Sequence, residues 1–185
     1  MGPVGYIIIA VLVILVIYFI SVYNSLVKLN NNVKEAFSTM DVYLKKRWDL
    51  IPNLVETVKG YAKHEKGTLE EVVKLRSGAY DKMSPDEKIE NNAKLSAGIT
   101  KIMALAEAYP ELKANQNFLS LSSDLSNVEA DIANSRKYYN GVVKIFNNKV
   151  MMFPSNIVAN MLGYKEQKMY EVDSVEERKN VKVQF

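Results

Sequence analysis

Four polar residues in the second half of the chain, Glu129, Arg136, Asn140 and Asn147, are spaced seven, four and seven apart. On a helix that spacing places them on one face, so a carboxylate, a guanidinium and two carboxamides follow one another along a single line. Their chemistry is ion pairing and amide hydrogen bonding. The first half offers complementary groups in Asp41, Arg47 and Asp49, and an antiparallel pairing of the two stretches would join Arg47 to Glu129, or Asp41 to Arg136. Polar groups beside an apolar seam fix helix register at some cost in stability, so Asp41, Arg47, Glu129, Arg136, Asn140 and Asn147 are expected to form a structural polar seam. The functional alternative is a ligand or partner site on that face.

Catalytic chemistry is harder to assemble. The single histidine, His64, stands beside Glu65 without the H-E-x-x-H spacing that would bring a second imidazole to a metal, and is expected at the surface or at a helix end. The sequence contains no G-x-S-x-G, P-loop or G-x-G-x-x-G pattern. Cysteine is absent, which removes thiol nucleophiles, thiolate metal sites and disulfides. The expectation is a protein that is not an enzyme, with no catalytic residue, no cofactor and no metal. Lys45-Lys46-Arg47-Trp48 mixes base and aromatic, but four residues and a net charge of +3 do not make a nucleic-acid surface. Trp48 is expected to pack inside a bundle.

The elements that position these groups are helical. Phe118, Leu121, Leu125, Val128, Ile132, Ser135, Tyr139, Val142 and Phe146 alternate steps of three and four, a heptad pattern that calls for a long helix with partners along its length. Gly141 interrupts it at a cost of about 1 kcal/mol relative to alanine, which a close approach by another helix would justify. A second pattern, Leu26, Leu29, Val33, Phe37, Met40 and Leu44, gives an earlier helix with one apolar stripe. Pro52 is expected to kink or restart it. A helix from Leu54 to about Lys82 follows, pausing at Gly67-Thr68, and Ser84-Pro85-Asp86-Glu87 reads as a capped start for the next. That helix carries Ile89, Ala93, Ser96, Ile99, Met103 and Ala106 and ends near Tyr109-Pro110, with a bend or short turn to Asn115. Pro154 ends the heptad helix, and Ser155 is placed to cap a short one from Asn156 to Leu162.

Before all of these lies Val4 to Val22, without a charged side chain. Its nineteen positions reach about 28 Å as a helix, close to the hydrocarbon thickness of a bilayer. The first charge is Lys28 and no small-residue cleavage pattern follows, so an anchor is expected and not a cleaved signal. Lys28, Lys34, Lys45, Lys46 and Arg47 follow the span while none precedes it, which favours an outside N-terminus and a cytoplasmic domain. No Gly or Pro stands between Ser21 and Ile51, so the span is expected to run on into the domain as one rod of some 45 residues. The Lys45–Arg47 cluster would then stand roughly 35 Å beyond the span, too far for headgroup contact.

Several long motifs occur in order: Tyr23-Asn24-Ser25-Leu26-Val27; Leu44 through Arg47-Trp48-Asp49 to Val55; Tyr61-Ala62-Lys63-His64-Glu65; Tyr109-Pro110-Glu111-Leu112-Lys113-Ala114-Asn115; and Glu129, Ile132-Ala133, Arg136, Tyr139-Asn140 and Asn147. In these the chain resembles the LemA family of bacterial membrane proteins, from the anchor to Gly163. Trp48 departs from the polar residue often found there. The resemblance implies an N-terminal membrane segment, a helical-bundle domain and no established enzymatic activity; relatives in magnetosome-forming bacteria are implicated in shaping internal membranes.

The sequence therefore predicts an all-α chain in which a single N-terminal transmembrane helix (4–22) is continuous with a long-helix antiparallel bundle of three to four helices (23–163), followed by a partly ordered charged tail (164–185). The expected setting is the bacterial cell membrane, single-pass. Expected partners are the lipid bilayer and further copies of the chain, with a protein client as a further candidate and no nucleic acid. The expected role is a non-enzymatic scaffold that organises or shapes membrane; the alternative is an anchored adaptor that holds a client through a bundle face or the tail.

Overall fold

The computed structural model describes residues 2–76 and 78–170. The described residues form helices and connecting turns without a strand: α1 Pro3–Tyr61, α2 Lys66–Leu75, a 3-10 turn Tyr80–Lys82, α3 Pro85–Ala108, α4 Pro110–Lys113, α5 Gln116–Met151 and α6 Ser155–Met161. The fold is all-α, with a long N-terminal apolar helix. Contacts divide the described residues into two compact units, one of residues 2–38 with Lys137–Met169, the other of Thr39–Arg136 with Tyr170.

In the second unit the helices alternate in direction. Arg47 pairs with Glu129 at 2.8 Å, and Tyr61 accepts a hydrogen bond from Asn115 Nδ2 at 2.8 Å, so rising numbers on α1 meet falling numbers towards the start of α5. Asp41 meets Lys88 and Arg47 meets Asn92 and Ser96, so α1 and α3 run in the same direction. Leu54, Val58, Val72, Ile102, Leu112 and Val128 are fully buried between them. At the crossing of α2 and α3 a Cβ on Gly98 would lie 2.8 Å from Val72 Cγ2, so this glycine lets the helices approach. Ser84 caps α3 with a complete capping box: its Oγ accepts from Glu87 N–H, and Glu87 Oε2 accepts from Ser84 N–H.

The helix does not restart at Pro52; α1 continues through it to Tyr61. Proline has no N–H to give the carbonyl four residues earlier, which is that of Trp48. Arg76 supplies the missing donor, its Nε lying 3.1 Å from Trp48 O while its guanidinium sits 5.7 Å from the Trp48 ring centroid. A tertiary hydrogen bond thus replaces the helical one. The following helix is also shorter than expected, ending at Leu75, and the break comes between Tyr61 and Lys66, so Gly67 and Thr68 lie inside α2. The buried face of α3 runs Asn92, Leu95, Gly98, Ile99, Ile102 and Ala106, displaced by one position from most of the expected stripe.

In the first unit Phe37 packs edge-on against Tyr139, with ring centroids 6.0 Å apart. Val22, Leu26, Val33 and Ala36 of α1 are buried, as are Tyr139, Val143, Phe146 and Val150 of α5 and Val158 and Ala159 of α6. The seam steps from Tyr139 to Val143, not Val142, because a helix of 3.6 residues per turn drifts from a strict heptad and a four-residue step restores the facing. Gly141 is exposed, and among the described residues nothing outside its own helical turn lies within 4 Å of where its Cβ would be, so no described helix approaches it. Ser155 begins α6 instead of capping it; its Oγ donates to the carbonyls of Lys149 and Met152. Gly163, at φ 74°, closes α6: Gly163 N–H bonds Asn160 O and Tyr164 N–H bonds Ala159 O, the paired pattern that a left-handed residue allows.

Residues 4 to 20 of α1 are exposed apart from partial cover at Gly5, although nearly all are large and apolar. This part of α1 is long and apolar enough to cross a membrane.

Candidate functional site

The polar residues resolve into three groups, each built on a long helix. The first surrounds Arg47, whose side chain is 4% exposed. Nη2 pairs with Glu129 Oε2 at 2.8 Å; Nη1 donates to Ser96 Oγ at 2.8 Å and to Asn92 Oδ1 at 3.2 Å. Asn92 Nδ2 donates in turn to the Tyr170 hydroxyl at 2.8 Å, and the Arg136 guanidinium stands 5.4 Å from the Tyr170 ring centroid. Arg47 Nε is buried and finds no hydrogen-bond partner among the described residues. Burial lowers the Arg47 pKa and Glu129 opposes that shift, so the carboxylate is the main counterweight to a desolvated cation. Burial likewise raises the Tyr170 pKa and keeps its hydroxyl protonated.

The second group centres on Asp41. Its carboxylate accepts from the Tyr80 hydroxyl at 2.6 Å and from Lys88 Nζ at 2.7 Å, and Lys88 lies 4.5 Å from the Tyr80 ring centroid. Tyr80 also packs on Trp48 at 5.3 Å between ring centroids. Its pKa is raised by burial first and then by the hydrogen bond to Asp41. These contacts hold the 3-10 turn and the start of α3 against α1.

The third group lies in the other unit. Asn147 Nδ2 donates to Gln167 O and Asn147 Oδ1 accepts from Gln167 N–H, both at 2.9 Å. One carboxamide thereby satisfies both backbone groups of an extended residue, as a neighbouring strand would. The Tyr139 hydroxyl donates to Lys168 O at 3.1 Å. Tyr164 packs edge-on against Phe146 at 6.0 Å. Residues 164–169 are therefore fastened along α5. The remaining tail, with Val181, Val183 and Phe185, lies outside the described residues.

Of the residues singled out from the sequence, Arg47 meets Glu129 directly. Asp41 does not meet Arg136: Lys88 and Tyr80 take its carboxylate, while Arg136 turns to the Tyr170 ring. Asp49 pairs with Lys45 one turn away at 2.7 Å. Asn140 is half-buried on α5, and Asn147 is buried. His64 is exposed. Ser96 belongs to the expected stripe of α3, but its bond to Arg47 is new, as are the places of Asn92 and Tyr170 in this group. Asn92 and Ser96 carried a signal, since Ile89, Asn92, Ser96 and Ile99 step by three and four and so put polar atoms within an apolar face; the lone Tyr170 carried none.

What these groups do chemically is hold helices and a chain segment in register. Among the described residues no three His, Asp or Glu side chains converge as metal ligands. A shallow open cleft of about 360 Å³ lies between Val150, Asn156, Asn160, Tyr164, Lys165 and Glu166.

A protein-family model described as the LemA family matches residues 36–185. The chain is also 27% identical over 172 residues to a protein named Protein LemA from Metamycoplasma hominis, an alignment covering 90% of this chain and 77% of that one. The motifs that suggested the resemblance and the helical architecture agree with this match over most of the chain, which belongs to the LemA family.

Proposed function

We propose that this chain is a non-enzymatic, single-pass membrane protein that self-associates through its helical bundle and thereby organises or shapes the bilayer. The observation that carries the reading is an outward apolar stripe on α5. Tyr138 and Ile145, 53% and 57% exposed, flank Gly141 at steps of three and four, and no described residue outside its own helical turn lies within 4 Å of a Cβ built on that glycine. A glycine between two large apolar side chains lowers the helix surface so that a second helix can lie close. Gly141 costs helix stability within one chain; a neighbouring copy gives it a use. The unbroken α1 adds support, since no flexible linker separates the apolar segment from the bundle.

Reconstitution of the full-length protein into liposomes, viewed by electron microscopy beside a version beginning at Ser25 and a Gly141→Phe variant, tests this. Ordered multimers or deformed vesicles are expected only for the unaltered full-length chain. Isolated bundles on undisturbed vesicles would overturn the proposal in favour of an anchored adaptor. The lysine bias after the span places the bundle in the cytoplasm in this reading; protease protection in oriented cells tests that orientation.

A further inference from the structure

We infer that the corner joining α5 to α6 is a second membrane contact, which dips Met152, Phe153 and Ile157 into the bilayer interface beside the anchor. This rests on the proposal that α1 spans the membrane. The corner is conspicuously apolar and uncovered: Phe153 is 79% exposed, Met152 62% and Ile157 53%, with Met151 beside them. Side chains of this kind on a soluble surface mark something they contact.

The occupant follows from the level of the corner within its own unit. Phe37 meets Tyr139, and Val22 and Leu26 are buried in the unit that holds Lys137–Met169. A parallel α5 would lead away from Val22 and Leu26, so α5 runs antiparallel and carries its C-terminal residues towards them. Both helices rise about 1.5 Å per residue. Twelve residues before Phe37 is Ser25, three past Val22, where the expected span ends; twelve after Tyr139 is Met151, the last residue of α5. Phe153, two residues beyond the end of α5, therefore lies within about one turn of the level of Tyr23, itself 44% exposed, near the depth where aromatic rings sit between hydrocarbon and headgroups.

Charge agrees with that placement. The residues of this unit include seven lysines, Lys28, Lys34, Lys137, Lys144, Lys149, Lys165 and Lys168, against two glutamates, Glu35 and Glu166, while the whole chain has a net charge of +3. Lys28 and Lys149 lie at nearly one level, about 8 Å beyond the end of the span, within reach of anionic headgroups. α6 is built for such a position. Ser155, Val158 and Ala159 face inward, and Ile157 and Met161, four residues apart, face out.

The absence of cysteine makes single-site spin labelling clean. Nitroxides at Phe153→Cys, Leu12→Cys in the span and Lys34→Cys on the exposed face of α1 are placed in the full-length protein, reconstituted into phosphatidylcholine vesicles containing phosphatidylglycerol. Collision with oxygen is compared with collision with a water-soluble nickel chelate. The expected result is a several-fold higher oxygen-to-nickel ratio at position 153 than at 34, approaching that at 12. A label at 153 as open to nickel as that at 34 overturns the inference. So does one shielded from both reagents, which would mean a protein contact. If position 12 is itself open to nickel, the anchor reading fails and the corner with it; lipid exposure at 12 without lipid exposure at 153 refutes the corner alone. Phe153 is exposed, so the label leaves the core intact, and circular dichroism checks this.

Discussion

Glu129 is predicted to hold the helices together through Arg47, and a double-mutant cycle measures by how much. Removing one partner of a fully buried ion pair costs about 3–5 kcal/mol, whereas exposed pairs contribute about 0–1 kcal/mol. Here the guanidinium is 4% exposed and the carboxylate 55%, so solvent screens one end only. The intermediate case implies roughly 1–2 kcal/mol for Glu129→Gln, which leaves the cation desolvated with only Asn92 and Ser96 as partners. For a chain of this length that is about 2–8 °C in Tm. Arg47→Met removes the charge together with the cost of burying it and the unpartnered Nε. In that background Glu129→Gln should cost nothing further, so the coupling energy equals the single-mutant loss. Thermal unfolding followed by circular dichroism in detergent micelles, on both single variants and the double, reads all three values. A Glu129→Gln variant as stable as the parent, or equal losses in the two backgrounds, would refute the account of Glu129 as the counter-ion of a buried cation.

Pro52→Ala should raise stability, because it restores an N–H to Trp48 O; Arg76→Met should cost about 1–3 kcal/mol in the parent and clearly less in the Pro52→Ala background, measured by urea unfolding. Gly141→Ala should stabilise the detergent-solubilised protein by up to about 1 kcal/mol, while Gly98→Ala should destabilise it through the contact with Val72, both read from the urea midpoint. Asn147→Ala removes two backbone hydrogen bonds and should speed amide exchange at Gln167 by at least tenfold, with trypsin cutting faster after Lys165 and Lys168; unchanged exchange would mean that the segment is held without Asn147. Tyr80 has a folded pKa raised above its ordinary 10, so its contribution is whole below pH 10 and is lost as pH climbs beyond it; Tyr80→Phe should flatten the fall of Tm in that alkaline range.

The long helices were legible because periodicity is a property of the sequence itself. Ser84 with Glu87 is equally local, and the capping box forms as read. The failures share a cause. Pro52 takes the helical donor away from Trp48 O, and the donor that replaces it is Arg76, twenty-four residues away on the far side of a turn. The destination of Asp41 likewise depended on Lys88 and Tyr80, whose positions follow from how α3 returns alongside α1. Gly141 marks a place where another helix could approach closely, and no described residue of this chain takes it.

The same distinction separates the parts of the polar seam. Arg47 and Glu129 could be matched from sequence because both lie on helices long enough to fix a register by heptad spacing, and an antiparallel pair then has few choices. Asn147 was visible as a polar residue beside the seam, but its partner is a backbone segment with no side-chain pattern of its own, Gln167. A carboxamide that satisfies both groups of one peptide residue is a device for fastening chain to helix, and its sequence signature is half missing by construction. The polar residues of this fold therefore divide by partner: those that face another helix are found by periodicity, and those that face a strap of chain are found only by asking where the strap's N–H and C=O groups go. For this family member the second question links the end of the bundle sequence to α5, and makes the chain from Tyr164 to Met169 part of the folded unit rather than an appendage to it.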